Sequence, residues 1–171
     1  MARAISHENA VDHRFIEFDQ LNSVDLATIV NNVDCNYIFL AASHGTVNSL
    51  VDANYDDFLS LTVNEYLFHS NIIYSLACLS GTELGEFLVS RGVKCFWGYK
   101  DSHFFIYNEL VFVECALEGL KHLLAGDSIE NSFLATKNKY DVKIEELYEI
   151  NPFSTSQLLA NKDSLIIFES N

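Results

Sequence analysis

Two continuous apolar runs constrain this chain more than any other feature. YIFLAAS (37–43) and NIIYSLA (71–77) contain no charged residue. Runs of this length and composition predict strands buried on both faces, as in a parallel sheet covered by helices. Further strands are predicted at RFIEF (14–18), FLSLT (58–62), VKCFWGY (93–99) and SLIIFES (164–170). Helical spacing recurs between them. In SVDLATIVNNV (23–33) the apolar positions are Leu26, Ile29, Val30 and Val33, with Ser23 as its cap. Thr62 and Glu65 form a T-x-x-E capping box for a short helix. Ser80-Gly81-Thr82-Glu83 forms another, opening a helix that stops at Gly92. A long helix spans 104–126, and Asp127 and Glu130 suggest an acidic cap for one more, SIENSFLATKNKY. Strands alternating with helices imply crossover connections. The expected fold is α/β, a three-layer sandwich with a mostly parallel central sheet.

The 171 residues suit one domain, set at 14–171 after a polar N-terminal arm at 1–13. Apolar residues make up 49% of the chain, enough for a sizeable core. Asp and Glu number 24 against 10 Lys and Arg, a formal net charge of −14. Nucleic acid and anionic membranes repel such a protein, whereas a basic peptide or partner is attracted. Glu109, Glu114, Glu118 and Lys121 interrupt the most apolar stretch, which reads as a helix with a polar stripe and not as a membrane span. Cys35, Cys78, Cys95 and Cys115 show neither metal-ligand spacing nor the density of a secreted disulfide framework. They imply reduced thiols, a cytoplasmic location, and no metal or other cofactor.

Each apolar run delivers a reactive residue to its end. YIFLAA leads into Ser43-His44-Gly45, and NIIYSLA into Cys78-Leu79-Ser80-Gly81. If the strands are parallel neighbours, their carboxyl ends share an edge, where open α/β sheets collect ligands and reactive groups. His44 and Cys78 then converge. An imidazole beside a thiol favours the thiolate, which is the nucleophilic form. The backbone N–H groups of Gly45 and Cys78 are natural oxyanion donors, because glycine lets a substrate approach the main chain. The helix opening after Ser80 adds a positive end near the sulfur. Cys35, Cys95 and Cys115 lie in or beside apolar runs and read as structural. Asp52, Asp56 and Asp57 read as a solvated loop on the same edge. His103 reads either as a helix start or as a residue lining the pocket, and Trp97 as core.

The blocks YIFLAASHG and IYSLACLSG resemble the caspase-like cysteine peptidases, the clan of caspases, gingipains and separases. The run LSGTELGEFLVSRGVKCFWGY and the later ECALEGLKHLLAGDSIENSFLATK are most similar to the bacterial CHAT-type branch. The resemblance covers most of residues 14 to 170. It implies a caspase-like fold, without the first βα unit that such domains place before the strand at 14–18. It also implies that His44 is the general acid/base and Cys78 the nucleophile of a cysteine endopeptidase that forms a thioester acyl-enzyme. Asp101 stands where separase-like and CHAT-like members place a substrate-binding acid, which points to a protein or peptide substrate, basic at the cleavage site. Relatives in bacteria are often held inactive until a partner acts. The alternative is a catalytically silent scaffold, or one part of a protein complex completed by another chain, that acts by binding.

Overall fold

The computed structural model describes Ile16 and residues 21–170. It divides into two compact units. Of the described residues, one holds Ile16, 21–103 and 163–170, the other 104–162. The expected strand at 14–18 falls outside the described residues except for Ile16, which is not in a strand and packs against the core of the first unit. No described helix is long and apolar enough to cross a membrane.

The first unit is built on two sheets. Strands β1 (Ile38–Ala41), β5 (Ile72–Ser75), β6 (Cys95–Tyr99) and β7 (Leu165–Glu169) form a mixed sheet in the order β1-β5-β6-β7. The first three run parallel and β7 runs antiparallel to β6. Every residue of β6 is buried, as its apolar sequence predicts, with Trp97 stacked on Tyr74 at 4.7 Å. Strand β1 is only half-buried up to Ala41, because among the described residues it is, with β7, an edge of the sheet.

The segment between β1 and β5 departs from expectation. A polar turn, the strand FLSLT and a short helix from Thr62 were predicted there; the segment instead forms a small antiparallel sheet of β2 (His44–Gly45), β3 (Ser49–Val51) and β4 (Asp57–Ser60). The predicted strand FLSLT is therefore β4 of this second sheet. The Thr62–Glu65 capping box opens no helix. Asn64 adopts a left-handed φ of 61° and donates through its side chain to the Phe58 and Ser23 carbonyls, which breaks the helical path.

Helix α1 (Ser23–Val30) buries Leu26 and Val30, and its cap is Asn22, not Ser23: the Asn22 side chain accepts from the N–H groups of Val24 and Asp25. Helix α2 (Glu83–Ser90) starts later than expected, with Thr82 as its N-cap. It packs on β6 and β7 and ends at Gly92, whose φ of 96° suits glycine.

The second unit is helical. Helix α3 (Leu110–Leu124) begins six residues later than predicted and buries Phe112, Cys115, Ala116, Leu117, Gly119 and Leu120. Helix α4 (Ile129–Leu147) packs against it and is capped by Ser128 rather than by an acid. Helix α5 (Pro152–Ser164) was not predicted. It buries Ser154, Thr155, Leu158 and Asn161, a face too polar to register as amphipathic. The Asn161 side chain accepts from the Phe104 N–H and donates to its carbonyl, each at 2.7 Å.

Candidate active site

The register Ile38↔Ile72 through Ala41↔Ser75 makes β1 and β5 parallel neighbours. Their carboxyl ends therefore open on one edge of the sheet, and the chain leaves each with the residues singled out above. His44 opens the small sheet three residues after β1 ends, and Cys78 likewise follows β5 by three. The two segments touch. A Cβ placed on Gly45 would stand 2.5 Å from the Cys78 carbonyl oxygen and 2.8 Å from the Ala77 Cβ. Glycine is required here by close approach of main chain to main chain.

The turn that carries Cys78 is held from within. Ser75 and Ser80 are both fully buried, and their hydroxyls bond each other at 3.0 Å. Ser80 Oγ donates to the Ala77 carbonyl at 2.9 Å, and the Ala77 N–H donates to Ser75 Oγ. Ser80 thus braces the turn and caps no helix. Leu79, directly after Cys78, sits at a left-handed φ of 59°. For a leucine that conformation costs about 1–2 kcal/mol. It is held by the Leu79 N–H donating to the Asp101 carbonyl and by Thr82 donating to the Leu79 carbonyl.

The helix expected to open directly after Ser80 starts three residues on. Helix α2 begins only at Glu83, and the N–H groups of Glu83 and Leu84 both donate to the Val47 carbonyl. This contact instead ties the loop after Gly45 to the loop after Cys78.

Cys78 is partly exposed. Its sulfur is bracketed by one residue: the His103 N–H donates to Sγ at 3.3 Å, and Sγ lies 3.8 Å from the His103 carbonyl oxygen. His103 starts no helix. Its ring stacks on Tyr99 at 4.0 Å, and Nδ1 contacts the Leu76 carbonyl at 2.9 Å. Burial pushes the imidazole down to about 4, opposed by the bond to Leu76. The ring is therefore neutral at pH 7, with its proton on Nδ1 facing an acceptor that can only receive one.

Asp101 also reaches this edge. Its carboxylate is exposed and accepts the Ser102 N–H at 2.7 Å, while its carbonyl holds Leu79. His44 is exposed and stacks on Tyr55 at 5.5 Å with 17° between the rings. Tyr55 sits at the tip of the β3–β4 hairpin with a φ of 66°. The acidic cluster on that hairpin is not uniformly solvated: Asp52 is buried and accepts the N–H groups of Asn54 and Asp56, while Asp56 and Asp57 are exposed.

The remaining thiols separate by environment. Burial pushes Cys95 and Cys115 each up to about 12, so both are structural as expected. Cys35 is exposed, contrary to expectation, because it lies in the polar link between α1 and β1 rather than in the apolar run beside it. It lines an open concavity of about 660 Å³ with Tyr37 and Asn71, at the amino ends of β1 and β5 and so on the edge away from Cys78. Among the described residues no group of three His, Cys, Asp or Glu side chains is arranged to hold a metal.

The arrangement contains a partly exposed thiol, an exposed imidazole on the adjoining segment, a main-chain approach permitted by glycine, and an exposed carboxylate. No family model matches the chain, and neither a curated protein nor a solved structure matches it.

Proposed function

We propose that this chain is a cysteine endopeptidase of caspase-like fold, a three-layer sandwich that uses His44 and Cys78 as a dyad in a reducing, cytoplasmic setting. One observation carries the reading: two parallel neighbouring strands end on one edge, and the Gly45 backbone packs directly on the Cys78 carbonyl. The thiolate of Cys78 attacks a peptide carbonyl carbon, and the C–N bond breaks as His44 protonates the leaving amine. Water, deprotonated by His44, then cleaves the thioester and restores the thiol. The N–H groups of Gly45 and Cys78 serve the oxyanion, each such donor being worth about 2.7–4 kcal/mol in the transition state. Asp101 supplies negative charge for a basic substrate residue. The chemistry requires no metal or other cofactor.

The test is proteomic. Incubation with a denatured protein mixture should generate new N-termini following Lys or Arg, and Cys78→Ala should generate none. A second reading, a catalytically silent scaffold within a protein complex, is favoured by exposed Tyr107, Leu110, Tyr148, Ile150 and Phe153 in the helical unit. Under that reading wild type also generates no new termini, and its mass in solution exceeds the 19.3 kDa of one chain.

A further inference from the structure

The peptidase reading uses His44 and leaves His103, the histidine that contacts the sulfur, without a task. His103 is not idle in the structure. Its main chain supplies both hydrogen-bond partners of Cys78 Sγ, the N–H at 3.3 Å and the carbonyl at 3.8 Å. Its ring supplies the anchors that fix that main chain, the bond to the Leu76 carbonyl at 2.9 Å and the stack on Tyr99 at 4.0 Å. The ring reaches back to the strand end that precedes Cys78, so sulfur and donor are referenced to the same short segment. Among the described residues Nε2 is buried with no hydrogen-bond partner, so this imidazole is not placed as a proton carrier.

We propose that His103 is a positioning residue for the Cys78 thiolate: its ring locks the loop so that its backbone N–H points at the sulfur. The proposal rests on the reading of Cys78 as nucleophile. The two bonds respond oppositely to ionisation. Only the thiol can donate to the carbonyl, and that contact is long. The N–H bond strengthens when sulfur becomes an anion, as charge-assisted bonds do. That bond needs the loop held still, because a free loop would turn the N–H to water. The titratable groups on the segments that lead to and from the Cys78 turn include His44 at the start of β2, Tyr74 in β5, Tyr99 at the end of β6, Lys100 and Asp101 after it, and Glu83 and Glu86 in the first turn of α2. Substitution of the His103 ring removes none of these groups, although it takes away the stacking partner of Tyr99.

Two substitutions separate positioning from bulk. His103→Asn keeps a side-chain N–H at the place of Nδ1 and should keep the bond to Leu76. His103→Leu keeps the volume and loses the donor. Iodoacetamide alkylation of Cys78, followed by peptide mass across pH, is the readout. In His103→Leu the rate at pH 7 should fall about three- to tenfold, the change that half to one unit in a titration midpoint produces. The midpoint should move up, while His103→Asn stays within about twofold of wild type. If His103→Leu fails to fold, wild type decides the matter. In a ¹H–¹⁵N titration the His103 amide proton should shift with the same midpoint as alkylation, and the shift should vanish in Cys78→Ser. An amide signal that stays fixed through the alkylation midpoint overturns the proposal, as does a folded His103→Leu with a wild-type alkylation profile. Neither readout needs peptide hydrolysis. If alkylation tracks His103 while peptide substrates remain uncut, the peptidase reading falls and the positioning role stands.

Discussion

The α-carbon of Gly45 lies against the carbonyl of Cys78 so closely that a methyl group there would stand 2.5 Å from the oxygen. The neighbour is main chain on one side and the Ala77 Cβ on the other, so no flexible side chain can yield. In Gly45→Ala the small sheet must move away from the cysteine turn. We expect Cys78 to lose reactivity toward peptide probes by about tenfold or more, since displacements of about an ångström in a reactive pair can cost 10²-fold. Far-UV circular dichroism should remain that of the wild type. Probe labelling by intact mass checks it, and an unaltered rate would show that this contact does not set the site.

The four thiols should divide two and two. Cys95 and Cys115 are fully inaccessible, and burial pushes both up to about 12. Cys35 and Cys78 have access to solvent. Native protein treated with iodoacetamide at pH 7.5 should gain two adducts, at Cys35 and Cys78, and four after denaturation. Peptide mapping assigns them.

Stability should fall on mild acidification, and His103 should account for part of it. Its folded-state value lies near 4, lowered by burial from the ordinary 6.5. Between those values the unfolded chain binds the proton and the folded chain does not, so unfolding stability rises with pH across this window. The contribution is complete above about pH 6.5 and drains away as pH falls toward 4, amounting to about 3 kcal/mol at most. Urea midpoints at pH 7.0 and 4.5 measure it. The drop in His103→Asn should be smaller than in wild type.

Ser80→Ala should destabilise the first unit by about 1–3 kcal/mol, the range for removing one partner of a buried hydrogen-bonded group. The serine is fully buried and its hydroxyl joins Ser75 Oγ to the Ala77 carbonyl. Its loss leaves the carbonyl before Cys78 without that donor. Denaturant titration gives the stability, and parallel alkylation of Cys78 should show altered reactivity even where the protein is folded.

The strands of the larger sheet were legible because β5 and β6 are buried on both faces, and burial writes itself as an unbroken apolar run. Of the small sheet only β4, read as FLSLT, was legible. His44-Gly45 and Ser49–Val51 are too short to show a period, and buried Ser49 and Asp52 look like loop residues. Helix α5 hid for a related reason: the side chains it buries include Ser154, Thr155 and Asn161, whose polarity masks the stripe. At the candidate site, the shared edge of the segments carrying His44, Gly45 and Cys78 followed from the parallel pairing of β1 and β5, whereas Asp101 was singled out by the resemblance alone. The His103 bracket was not readable, because its contacts to the sulfur come from the main chain and any residue type could supply them. Leu79 gave no signal either, since leucine rarely adopts a positive φ.

The most direct test of the central claim is covalent. A peptidyl acyloxymethylketone carrying Lys or Arg beside the reactive carbon is incubated with wild type, Cys78→Ala and His44→Ala, and adducts are located by mass. The account predicts a single peptide adduct at Cys78 in wild type and essentially none in either variant. Equal adduct formation in all three proteins, or an adduct confined to Cys35, would contradict it.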